Sequence, residues 1–271
     1  MANANLVTLI TGPNRGKSPV LTDIVWQIAK GIFLTGIGHG ILATILTRQN
    51  NTVIAAVRDP QAAVSQSLND LPKGEGTSLH LVKIDCAVPT DAAAGVEAIR
   101  ALGISYIDTV IANAAIGNTA VSVLETSPED VRRHLEVNLI GVLTLFQAVE
   151  PLLRKAQSKN PKFIALSSNL GSTALAPVIP GPWFCYGVSK AALNYMVRRV
   201  HVENDWLTAV ALHPGWVQTD MGTRAANAVG LESAPMKPED SVEGCLKVID
   251  AASREKYAGE FMSSEEQTIM W

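Results

Sequence analysis

Residues 7–20 read VTLITGPNRGKSPV, an apolar run that meets two glycines and then Gly16-Lys17-Ser18. Two phosphate-binding loops compete for these letters. The P-loop of nucleotide hydrolases, G-x-x-x-x-G-K-[ST], needs four residues between its glycines. Gly12 and Gly16 enclose three: Pro13, Asn14 and Arg15. A dinucleotide-binding turn, T-G-x-x-x-G-x-G, needs a third glycine two places after Gly16, where Ser18 stands. With residues 17–36 set aside, the text becomes TGPNRG-IGHGILATILTRQNNTVIAAVRDP. That is an unbroken glycine turn running into a helix and a second strand. The interval 17–36 therefore reads as an insertion inside the turn.

Working outward, apolar runs recur at 7–10, 52–57, 79–84, 108–115, 162–168 and 207–214. Each is short and aliphatic and ends near Gly, Pro, Asp, Asn or Ser, as buried strands do. Helical patterns lie between them at 39–49, 60–69, 90–102, 128–155 and 186–203. The alternation predicts an α/β chain, residues 1–271 forming a single doubly wound (Rossmann) domain with a parallel sheet and helices on both faces. The stretch 222–238 carries the weakest pattern and reads as a lid or loop.

Bulk properties narrow the function. The chain has 271 residues, 47% apolar and 17% charged, which is ample for a buried core. A net charge of −3 without a basic block argues against a nucleic-acid partner. Cys86, Cys185 and Cys245 are far apart, with no C-x-x-C, so a reduced, cytoplasmic setting is expected and no structural zinc. The five histidines have no metal-ligand spacing, so no metal is expected. No secretory signal is evident at the N-terminus. Residues 31–47 lack Asp, Glu, Lys and Arg, yet Lys30, His39 and the four glycines of this stretch favour a buried helix over a membrane span.

The chemistry-bearing residues follow in order. Thr11, Gly12, Asn14, Arg15, Gly16, Ile37 and Gly38 form the two halves of the turn, whose glycines let backbone N–H groups approach a pyrophosphate. Arg58-Asp59 ends the second strand. An arginine there accommodates a 2′-phosphate, and Arg15 adds a second positive charge. Alternatively, Arg58 is a solvated surface residue beside a capping Asp59. Asp85-Cys86 ends the third strand, which also has the look of a Walker B strand. ANAA at 112–115 contains Asn113 and Ala114. Asn138, Ser168, and Tyr186 with Lys190 complete the set. Tyr and Lys at i and i+4 share one helix face.

Asn, then Ser-Ser at a strand end, then Y-x-x-x-K resembles the short-chain dehydrogenase/reductase family over nearly the whole chain. HPGWVQTDM at 213–221 strengthens the likeness, with Pro214, Gly215, Val217 and Thr219 at the positions that close over a nicotinamide. The resemblance implies NADP(H), a small carbonyl substrate, and a homodimer or homotetramer built on the 128–155 and 186–203 helices. It gives Asp85 to the adenine, Asn113 to the central strands, and Asn138 to a water behind Lys190. Tyr186 would protonate the carbonyl oxygen and Ser168 would orient it, with Ser167 as the fallback serine. Lys190 would lower the tyrosine pKa from about 10 and hold the nicotinamide ribose. Ala115 departs from the family's usual glycine. The tail, ending in Trp271, resembles small carbonyl-reductase-like members, including fungal aromatic-polyketide ketoreductases. Trp183 and Phe184, in a lengthened loop before Tyr186, would stack on an aromatic substrate or pack their own loop.

The insertion leads to the alternative expectation, an impaired or non-catalytic member. Loop closure costs only about 0.6 kcal/mol per doubling of length, but 17–36 enters at the phosphate site itself. The codons available for Gly16–Ser18 include a splice-donor sequence and those for Thr35-Gly36 an acceptor, so a retained intron is one origin for the interval.

Overall fold

The structure, a computed structural model, describes residues 5–14, 36–117 and 120–271. Arg15, Gly16 and positions 17–35 of the interval lie outside the described residues. Among the described residues, seven parallel strands form one sheet in the order β3-β2-β1-β4-β5-β6-β7. They are β1 (Leu6–Thr11), β2 (Asn51–Val57), β3 (Ser78–Lys83), β4 (Thr109–Ala112), β5 (Lys162–Leu166), β6 (Thr208–His213) and β7 (Phe261–Ser263). The order reverses between β1 and β4, so the crevice above their C-terminal ends is the topological switch point of this doubly wound fold.

The helices are α1 (Ile37–Leu46), α2 (Asp91–Ala101), α3 (Pro128–Leu135), α4 (Gly141–Leu153), α5 (Phe184–Glu203), α6 (Asp220–Ala228) and α7 (Pro238–Ala251). Strand side chains alternate between two cores. On one face Leu9, Val110, Phe163 and Ala211 meet α2, α4 and α5; on the other Ile10, Ile111, Ile164 and Leu212 meet α1 and α7. Removing one such fully buried Leu or Ile by truncation to Ala costs about 2–5 kcal/mol. Ile41, Leu42, Ile45 and Leu46 of α1 are buried in the second core, so this part of the apolar stretch 31–47 is a core helix. The run Pro128–Leu153 is long and apolar enough to cross a membrane by composition, but Val142, Leu145, Val149, Leu152 and Leu153 pack against the sheet.

Several elements depart from expectation. β4 stops at Ala112, because Asn113 turns its amide back onto β1. The 60–69 helix shrinks to the turns Ala63–Gln66 and Ser67–Asp70. The 128–155 helix is broken by a π turn at Glu136–Ile140, a feature that concentrates at functional sites. The 222–238 stretch is not a loose loop. It contains most of α6, and Met236 pairs with Trp216 and Gln218 through backbone bonds of 3.0 and 2.9 Å. α7 and the three-residue β7 had no sequence assignment. β7 is only an edge strand, but Phe261 within it is fully buried.

Candidate active site

The C-terminal ends of β1, β4, β5 and β6 converge on one corner. The glycine turn is assembled from both sides of the interval. Gly12 has φ +61°, and a Cβ there would lie 3.0 Å from Ala114 Cβ. A Cβ on Gly38 would lie 2.3 Å from Asn113 Nδ2. The two halves thus abut consecutive residues of the β4 loop. Asn113 Nδ2 donates to the carbonyls of Thr11 (2.8 Å) and Gly12 (3.2 Å), while Thr11 Oγ1 accepts from the Asn113 and Ala114 N–H groups. Asn113 therefore ties the end of β1 to the loop after β4.

α1 starts at Ile37 with no side-chain cap and no acidic residue in its first turn. α3, by contrast, is capped by Ser127 and opens with Glu129 and Asp130. An uncapped, acid-free helix start beside glycines suits an anionic group. Asn14 Nδ2 donates to Ser65 Oγ (2.8 Å), and Ser65 Oγ donates to Asp59 O (2.6 Å), tying the turn to the end of β2. Arg58 is exposed there, and Asp59 Oδ1 accepts from Gln61 N, a local turn bond. Asp85 Oδ1 accepts from Ala87 N. Cys86 is buried, with its carbonyl where a Cβ on Gly141 would fall. These positions can receive the phosphates and adenosine end of a dinucleotide.

Ser168 follows β5, and Tyr186 and Lys190 sit on α5. Ser168 caps the turn Asn169–Gly171, its Oγ accepting from Leu170 N (3.2 Å). Ser167 is engaged elsewhere, donating to Asn194 Oδ1, which leaves Ser168 as the serine that hydrogen-bonds Tyr186. Tyr186 is pushed up to about 12 by desolvation, with the Ser168 hydrogen bond pulling the other way. Lys190 is 2% exposed and donates to Leu166 O at 2.7 Å. Its Nζ lies 5.6 Å from the Tyr186 ring centroid, and desolvation lowers it to about 7.

Burial raises the Tyr186 phenol and lowers the Lys190 ammonium, whose Nζ stands over the tyrosine ring from the next turn of α5. The Asn138 side chain is fully buried, its Oδ1 accepting from Ile116 N and its Nδ2 donating to Ile116 O and Ser189 Oγ, all at 2.8–2.9 Å. It clamps the β4 loop to α5.

His213 ends β6 and is lowered to about 4 by burial, so its imidazole is neutral at neutral pH and donates no net charge. Pro214 O accepts from Ser241 Oγ, Gly215 has φ +92°, Val217 is buried, and Thr219 caps α6 through Gly222 N. The P-G-x-V-x-T segment is therefore a fixed wall.

Trp183 and Phe184 line a cleft of about 580 Å³ with Val121, Leu170, Ile179 and Val188. Trp183 also packs its own loop, donating Nε1 to Pro180 O (2.8 Å). The cleft adjoins Ser168 and Tyr186 through Leu170 and Gly187, but its walls contain neither of those side chains. Sequence reasoning missed Gly117 and Met221. A Cβ on Gly117 would lie 3.1 Å from the Tyr186 ring and 3.0 Å from Met221 Sδ, so only glycine lets this loop lie flat on the tyrosine. The available signal was a glycine two places after Ala115.

Among known proteins, residues 32–229 match the family described as short chain dehydrogenase. The norsolorinic acid ketoreductase of Dothistroma septosporum is 41% identical over 265 residues, 97% of this chain and 96% of that protein. The norsolorinic acid ketoreductase of Aspergillus parasiticus is 37% identical, covering 84% of each chain. An NADPH-bound carbonyl reductase from chicken fatty liver superposes with a TM-score of 0.77 at 28% identity, over 99% of both chains.

Proposed function

The chain belongs to the short chain dehydrogenase family and is an oxidoreductase of the ketoreductase type; from that premise we propose that it uses NADP(H) to reduce a hydrophobic, aromatic polyketide-like ketone. The observation that carries this reading is the meeting of Ser168, Tyr186 and Lys190 at the switch point, with an anion-suited glycine turn beside them.

The dinucleotide, when bound, supplies the hydride. Thr11, Gly12, Asn14, Arg15, Gly16, Ile37 and Gly38 would hold its phosphates. Arg58 would take the 2′-phosphate, and Asp85, Cys86, Asn113 and Ala114 the adenosine side. Pro214, Gly215, Val217 and Thr219 would border the nicotinamide. The protein's own chemistry concerns the carbonyl oxygen. Ser168 donates a hydrogen bond that fixes its direction. Tyr186, protonated at neutral pH, gives up its proton as the oxygen becomes an alkoxide, a far stronger base than a phenolate. Lys190, over the tyrosine ring, stabilises the phenolate that remains. Asn138 fixes α5 against the β4 loop, and Trp183 and Phe184 offer an aromatic wall to the substrate's ring system. A cleft of about 580 Å³ lies within the usual range of about 300–1,000 Å³ for small-molecule sites.

We further propose one domain, with 17–36 an insertion in the turn, and a homodimer or homotetramer in a reducing cytoplasm. The three buried cysteines fit that setting. The decisive assay follows NADPH oxidation with a panel of polycyclic aromatic and small aliphatic ketones. Turnover of the aromatic class with NADPH in preference to NADH is expected. NADPH oxidation with none of them, by a folded protein, would overturn the reading.

A further inference from the structure

The tail is bonded to the loop that joins Ser168 to Tyr186. After β7 the chain turns at Glu265-Glu266 and runs back antiparallel, Thr268 opposite Met262, with Ile269 N donating to Phe261 O at 2.7 Å. The Trp271 ring stacks 5.5 Å from Phe261 and lies 5.1 Å from the Arg198 guanidinium of α5. Arg198 is itself anchored on Gly259 O at 3.0 Å.

So held, the tail presents carbonyls to the loop. Met270 O accepts from Ser172 Oγ at 2.6 Å. Trp271 O accepts from Thr173 Oγ1 at 3.1 Å and from Ala174 N at 3.0 Å. The other side of the loop rests on α5. A Cβ on Gly171 would lie 2.6 Å from the Lys190 carbonyl carbon, and Asn194 Nδ2 donates to Gly171 O at 3.2 Å. The segment from Ser168 to Ala174 is therefore gripped between α5 and the tail. Ser172 is 2% exposed, so its hydroxyl depends on this partner and on Leu175 N. Ser172 and Thr173 are also walls of the substrate cleft. Further along, the loop is less supported: Val178 is 72% exposed and Gly181 has φ +116°.

We propose that Met270-Trp271 is a positioning element for the carbonyl substrate, fixing the Ser168 turn and the Ser172–Thr173 wall relative to Tyr186. This rests on the ketoreductase reading of Ser168 and Tyr186. The Trp271 ring acts as the anchor and the two tail carbonyls as the contact, so the effect reaches the site through the loop.

The test uses Trp271→Ala, Trp271→Phe and Ser172→Ala in the full chain. Amide hydrogen exchange is read first, since it needs no activity. Trp271→Ala is expected to speed exchange at Ala174 and its loop neighbours by roughly tenfold, the scale of one to two lost hydrogen bonds, with core strands β1 and β4 unchanged. The KM for the aromatic ketone should rise by a similar factor, the KM for NADPH should stay put, and Trp271→Phe should restore both. Unchanged exchange in 170–176 would overturn the proposal. Faster exchange with an unchanged ketone KM would also overturn it, because the tail would then hold a loop that does not shape the site. Tyr186→Phe, run alongside, separates the cases: full activity in that variant would sink the catalytic reading, whatever the exchange data show.

Discussion

The two halves of the crevice are built differently. The Ser168–Tyr186–Lys190 corner comes mainly from one sequence interval, Leu166 to Asn194, folded onto itself. Asn194 reaches Gly171 and Ser167, Lys190 reaches Leu166, and Gly171 lies flush on α5. The cofactor turn comes from residues far apart, Gly12 on β1 and Gly38 on α1, joined through Asn113 of a third element. Assembly across three elements makes the turn depend on each contact.

The largest test of this contrast is Tyr186→Phe. It removes the proton donor and leaves the packing, so kcat should fall by about 10²–10⁴-fold while NADPH titration by fluorescence gives an unchanged affinity. A loss of affinity instead would mean the two halves are not separable. Gly38→Ala probes the other side. Its Cβ would strike Asn113 at 2.3 Å and displace it from Thr11 and Gly12. We expect a stability loss of about 1–3 kcal/mol in urea melts and weaker NADPH binding; a variant that binds normally would show that Asn113 does not organise the turn.

Deleting 17–36 should tighten NADPH binding if the interval obstructs the turn. Equal affinity in both chains would end that idea, and transcript sequencing would settle whether the interval is a retained intron. Arg58→Ala should weaken NADPH by about 10-fold or more, the scale of a lost hydrogen bond to a charged group, and leave NADH alone. Parallel losses for both nucleotides would remove Arg58 from the 2′-phosphate.

A further test is a pH slope. Lys190 titrates near 7 folded against 10.5 ordinarily, so above pH 7 the unfolded chain holds a proton that the folded chain has released, and stability rises with pH. Cys245 and Tyr186, both pushed up to about 12 from 9.0 and 10.0, reverse the trend above pH 9. Urea unfolding between pH 7 and 9 should therefore show a rising slope that Lys190→Met flattens. An unaltered slope would mean that Lys190 stays charged in the fold.

Much of this was legible because strands β1, β2, β4, β5 and β6 bury both faces and so read as unbroken apolar runs, while β3 is a half-buried edge strand. β7 was not, since three residues carry no periodicity, and their place beside β6 comes from Phe261 filling the first core. α6 was hidden by the small residues of DMGTRAANA, which have little pattern; its place is set by the Thr219 cap and the Met236 clamp. The Asn138 side chain could be recognised by motif, but its partners, Ile116 and Ser189, lie on other elements.

The sequence by itself determined the alternating β/α order, the split glycine motif, and the Ser-Tyr-Lys set, because each is written in nearby letters with a fixed period or spacing. Only the tertiary structure decided how deeply this set is buried. How far desolvation raises Tyr186 and lowers Lys190 depends on how much protein surrounds them. That surrounding is supplied by Gly117, Met221, Leu166 and the Ser168 turn, which the chain brings together only on folding.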